Sequence, residues 1–168
     1  MKMKKSTFIL IGTLNLLSAF CLAAGDEETL FHKQVREKMP ELASFVRKGS
    51  RSWDLLDKDG KKLGSLHLEN IDDSQRKKGY KGPIEVAIVL NANDEICGIL
   101  IGKNQETPRF LKRVQAAGFL EKWNGMTLQK AAETDMGTVS RATYSSSAIA
   151  YGVRNLAASL LGEETEKH

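Results

Sequence analysis

The sequence predicts an α+β domain, an antiparallel sheet built from two hairpins and flanked by N-terminal, middle and C-terminal helices. Three observations predict it. Two alternating apolar runs, Trp53-Asp54-Leu55-Leu56 and Leu63-Gly64-Ser65-Leu66-His67-Leu68, flank the polar tetrad Asp57-Lys58-Asp59-Gly60. A second pair, Ile84 to Leu90 and Glu95 to Gly102, flanks Asn91-Ala92-Asn93-Asp94. Before and after these pairs, apolar residues recur at the three-to-four spacing of a helix face.

The first segment stands apart. Lys2, Lys4 and Lys5 precede an apolar run from Phe8 to about Ala24, and Cys21-Leu22-Ala23-Ala24-Gly25 offers small residues for cleavage. Residues 1–24 are expected to be an export signal, with an uncleaved membrane anchor as the alternative, and 25–168 a single domain. Phe20 is bulky where a lipoprotein signal has a small residue, so lipid modification of Cys21 is not expected. The 168-residue chain carries +4, but removing the three leader lysines leaves about +1. Its basic character therefore gives no reason to expect a nucleic-acid partner, and the short clusters Arg47, Lys48, Arg51 and Arg76-Lys77-Lys78 read as solvated loops. After cleavage Cys97 is the only cysteine, which excludes an internal disulfide, and its setting between Ile96 and Ile99 suggests a buried filler.

Leu30, Val35, Met39, Leu42 and Val46 give Asp26 to Val46 an amphipathic helical pattern, broken near Pro40. The two hairpins follow, enough for a four-stranded sheet. His67 reads as a strand residue facing water. Between the hairpins, a polar loop from Glu69 to Lys78 leads to Gly79-Tyr80-Lys81-Gly82-Pro83, strong punctuation before a strand. Thr107 is expected to cap the next helix, with Pro108 at its first position and an end near Gly118. A turn through Trp123 and a short link from Leu128 to Glu133 lead to Gly137-Thr138-Val139-Ser140-Arg141-Ala142-Thr143-Tyr144-Ser145-Ser146-Ser147-Ala148-Ile149. This hydroxyl-rich turn enters a helix marked by Ile149, Val153, Leu156 and Leu160, with Gly162 at its expected end. A helix start carries unpaired N–H groups and partial positive charge. Ser145 or Ser146 can be a cap, or the turn can hold an anion.

Chemistry read from spacing alone is sparse. No serine or threonine has an identifiable base, no carboxylate pair stands out, and the dinucleotide and P-loop glycine patterns are missing. With those constellations missing no catalytic residue is assigned, and His32, His67 and His168 show no ligand spacing, so no metal site is expected.

Four ordered blocks add to this reading: Gly79 to Val86, Glu106-Thr107-Pro108, Trp123-Asn124-Gly125, and Val139 to Ile149. Over roughly Trp53 to Leu161 the chain resembles the FMN-binding domain family, which includes the extracytoplasmic flavin-carrying subunits of Rnf complexes and of sodium-translocating NADH:quinone reductases. The resemblance implies an exported electron-transfer protein, periplasmic or on the outer face of the cytoplasmic membrane, working with a membrane or extracytoplasmic redox partner. It implies FMN joined by a phosphodiester to Thr143, placed there by a separate, magnesium-dependent flavin transferase that uses FAD. It also implies a flavin site drawn from Tyr80, Gly82, Glu106, Thr107, Pro108, Trp123, Ser140, Arg141, Ala142, Thr143, Tyr144, Ser145 and Ser146. Trp123 can flank the flavin ring or lie in the core. The chain departs from the family where Arg141 and Arg109 replace glycines and Gly137 replaces an aspartate, with Asp135 two residues early. Arg141 can instead pair with a flavin phosphate. The alternative is a secreted, non-catalytic binding or structural module that holds FMN non-covalently or not at all; a small-molecule flavin reductase finds no supporting acid, base or pocket.

Overall fold

A computed structural model describes residues 26–69 and 72–165. The expected leader therefore lies outside the described residues. Helix α1 (Asp26–Lys38) is followed by five strands: β1 (Ser44–Arg47), β2 (Ser52–Leu56), β3 (Lys62–Leu68), β4 (Ile84–Asn91) and β5 (Ile96–Asn104). Then come α2 (Pro108–Ala116), a short 3-10 helix (Leu120–Trp123), α3 (Leu128–Glu133) and α4 (Thr143–Thr165). The strands form one sheet in chain order, each antiparallel to the next. The α+β fold is as the sequence predicts.

Local chemistry fixes the two hairpins. Asp57 Oδ1 accepts the Asp59 and Lys61 N–H groups at 2.9 and 2.8 Å, and Gly60 takes φ +78°. Asn91 Oδ1 does the same for Asn93 and Glu95, at 2.9 and 3.0 Å. These side chains mimic a backbone turn, which is why Asp and Asn punctuate strands well.

Three local expectations are corrected. Ser44–Arg47 is a fifth strand rather than the end of a helix, because α1 stops before Pro40 and this segment pairs with Trp53–Leu56 of β2. Thr107 occupies the cap position of α2, but its side chain makes no capping bond; its carbonyl accepts the Phe110 N–H at 2.9 Å. Helix α4 begins at Thr143 rather than near Ser145, and it runs past Gly162.

Both faces of the sheet are covered. Ile84, Val86, Ile88 and Leu90 pack with Val114, Phe119, Trp123, Ile149 and Val153 from the later helices. Ala87 and Val89 pack on the opposite face with Phe31, Val35, Trp53, Leu55 and Leu66. Burial on both faces explains why β4 reads as a nearly continuous apolar run. Helix α4 approaches β4 closely at Gly152, where an added Cβ would lie 2.9 Å from Val86 Cγ2 and 2.8 Å from Glu69 Oε1.

An ionic cluster closes the sheet end next to that crossing. Buried Glu69 accepts the Arg76 Nε–H at 2.9 Å, the Arg76 guanidinium lies 3.7 Å from Glu85 Oε1, and Arg51 also donates to Glu85. Burial pushes the Glu69 carboxyl above its usual 4.5, outweighing Arg76, which lowers it. A carboxyl raised on folding stabilises the fold most at low pH, and that contribution fades as pH climbs through the folded value. Denaturant titrations from pH 4.5 upward should therefore show a downward component of stability in wild type that Glu69→Gln removes; equal slopes in both proteins would contradict the assignment.

Candidate functional site

The site is built at the start of α4. Asp135 Oδ1 accepts the Gly137 N–H at 2.9 Å, and Gly137 takes φ +66°. The Ala142 N–H reaches the Val139 carbonyl at 3.0 Å, closing a turn in which Arg141 holds φ +62°. That is the left-handed region that glycine enters freely and arginine does not. Gly137 leaves the expected acid position empty of a carboxylate, and Asp135 is engaged within its own turn.

The hydroxyls of this stretch divide sharply. Ser146 is buried; its Oγ accepts the Val139 N–H at 2.9 Å and donates to the Ala142 carbonyl at 2.9 Å. Ser145 is buried and donates to Glu106. Ser147 accepts from Lys77 Nζ at 2.6 Å. Thr143 is exposed, and its hydroxyl meets no partner among the described residues. The N–H groups of Thr143, Tyr144 and Ser145 likewise find no acceptor there, so the helix start presents three donors beside the Thr143 hydroxyl. Neither expected serine cap operates: both hydroxyls are tied elsewhere.

Glu106 connects this helix start to the rest of the site. It follows β5, its N–H is held by Asn104 Oδ1 at 3.1 Å, and it is 7% exposed. One carboxylate oxygen accepts the Lys81 N–H at 2.8 Å, and the other accepts the Ser145 hydroxyl. A Cβ on Gly79 would lie 2.7 Å from Glu106 Oε1, so glycine there makes room for the carboxylate. The 79–83 loop is closed further by the Gly79 N–H to the Gly82 carbonyl, 2.7 Å. Tyr80 is thereby set edge-on to Phe110, ring centres 5.0 Å apart.

Between these parts lies an open cleft of about 240 Å³, lined by Tyr80, Phe110, Arg141, Ala142, Thr143, Tyr144 and Ser145. Tyr80 and Tyr144 are 58% and 69% exposed. Of the residues singled out from the sequence, six line the cleft, and Glu106 ties two of its walls together. Thr107 and Pro108 begin α2, which supplies Phe110; Gly82 closes the loop and Ser140 lies exposed in the turn. Ser146 is internal. Trp123 is not brought to the cleft: it is buried in the core, edge-on to Phe119 at 5.3 Å. Phe110 and Gly79 were not singled out. Phe110 is masked by Leu111 and Val114, with which it reads as an ordinary helical core stripe.

The profile of the FMN-binding domain matches residues 79–158, from the cleft loop through β4, β5 and most of α4. The match supports an FMN-binding domain over that segment and indicates FMN as the cofactor. No curated protein matches the chain. The residues fit the group: unpaired N–H donors at a helix start suit a phosphate, and Tyr80, Phe110 and Tyr144 suit a flat aromatic ring. The cleft is smaller than the roughly 300 Å³ at which ligand pockets begin, so it covers part of such a ligand.

Two substitutions test the local account. Glu106→Ala leaves the Lys81 N–H and Ser145 hydroxyl without their acceptor and should destabilise the domain by about 2 kcal/mol. Arg141→Gly relieves a left-handed arginine and should stabilise it by up to about 1 kcal/mol. Urea unfolding reads both; a neutral Glu106→Ala or a destabilising Arg141→Gly would contradict the geometry.

Proposed function

We propose that the protein is an exported electron carrier whose FMN is bonded through a phosphodiester to Thr143. The observation that carries this is the division of hydroxyls: Thr143 is exposed at the cleft and uncommitted, while Ser145, Ser146 and Ser147 are each engaged. A separate transferase needs an accessible hydroxyl, and the product phosphodiester keeps one negative charge beside the three free N–H groups. The leader read at residues 1–24 supports export, periplasmic or at the outer face of the cytoplasmic membrane. There a bonded cofactor stays in place however dilute free flavin becomes. Bound FMN supplies one- or two-electron redox chemistry for a membrane or extracytoplasmic partner. The chain would position it: the helix start would hold the phosphate, and Tyr80, Phe110 and Tyr144 would offer aromatic contact to the ring.

Arg141 favours a second reading. Its side chain lines the cleft and can pair with the phosphate of FMN held without a bond.

Co-expression with a flavin transferase decides between them. Wild type should keep flavin fluorescence after denaturation and Thr143→Ala should lose it. Flavin that both proteins bind and both release on denaturation would select the second reading; a labelled Thr143→Ala would place the bond elsewhere.

A further inference from the structure

We infer that the rim of the cleft is a docking face for an acidic protein surface, an inference that rests on the electron-carrier reading. Three cations surround the two exposed tyrosines. Arg141 lines the cleft, Lys81 follows Tyr80, and the Arg109 guanidinium carbon lies 4.9 Å from the centre of the Phe110 ring, held by cation–π attraction. All three are exposed. None of the cleft-lining residues is acidic, and the nearby carboxylate, Glu106, is buried and occupied by Lys81 and Ser145. The positive charge at the rim is therefore uncompensated by the cleft itself.

The loop that presents Tyr80 and Lys81 is held in place. Glu106 fixes the Lys81 backbone, and Tyr80 packs on Phe110, so the face is ordered before any partner arrives. Tyrosine and arginine are, with tryptophan, the residues enriched in the energetic centres of protein interfaces. Here they rim a recess, which suits a projecting protein surface bearing carboxylates more than a flat lipid surface. Opposite charge would also steer such a partner to the side on which the proposed flavin attachment lies.

The test uses poly(Glu,Tyr) as the acidic probe and phosphatidylglycerol vesicles as the competing surface. Binding is measured for wild type, for Lys81→Glu/Arg109→Glu, and for Lys58→Glu/Lys61→Glu. The last pair changes net charge equally but lies in the β2–β3 turn, at the sheet end away from the 79–83 loop. Wild type should bind poly(Glu,Tyr), the rim variant about tenfold more weakly, and the turn variant within about twofold of wild type. Raising salt should erase the difference. No binding, equal losses in both variants, or rim-dependent binding to vesicles in place of the polypeptide would overturn the inference. Flavin content is read separately by absorbance, so a chain that never acquires flavin contradicts the carrier reading while the binding result still stands or falls by itself.

Discussion

The Glu106 carboxylate is the interaction on which the site depends. A buried carboxylate is tolerated only when its oxygens are met by donors, and here the donors come from two remote segments: the Lys81 N–H, 25 residues back, and the Ser145 hydroxyl, 39 residues on. Meeting that need pulls the 79–83 loop and the first turn of α4 onto the end of β5. The cleft is the space left between them. Tyr80 leans on the Phe110 ring, and Ser145 is withdrawn from the surface while Thr143 stays accessible at the helix start.

Arg141 is the other constraint. A left-handed residue just before the helix lets the chain reverse, so that Ser146 can satisfy Val139 while the N–H groups of Thr143, Tyr144 and Ser145 find no acceptor among the described residues. Glycine would do this without strain. The arginine accepts a modest strain and, in exchange, places a cation at the cleft. One substitution thus links a local conformational cost to the electrostatics of the face.

How much of this was legible depended on the range of the interactions. The hairpins were readable because Asp57, Gly60 and Asn91 act within a few residues, and α4 was readable from its apolar period. Strand β1 was not: Phe45 and Val46 suit either a helix face or a strand, and only pairing with β2 decides. At the site, local pattern reached a hydroxyl-rich helix start and no further. That Ser145 and Ser146 would turn inward, and that a carboxylate beside Thr107 would hold Ser145 to a distant loop, has no local signature. Glu106 and Thr143 were singled out through the four-block resemblance, and Trp123, which entered the same way, proved to be core.

With Ser145 held by the buried Glu106 carboxylate and Ser146 and Ser147 bonded elsewhere, the Thr143 hydroxyl is the aliphatic one left free at the helix start to carry FMN. Fragmentation mass spectrometry of the peptide spanning Gly137 to Arg154, from protein matured with a flavin transferase, tests it most directly. One FMN, less water, is expected on Thr143 alone. An unmodified peptide, or FMN on Ser140, Ser145, Ser146 or Ser147, would contradict it.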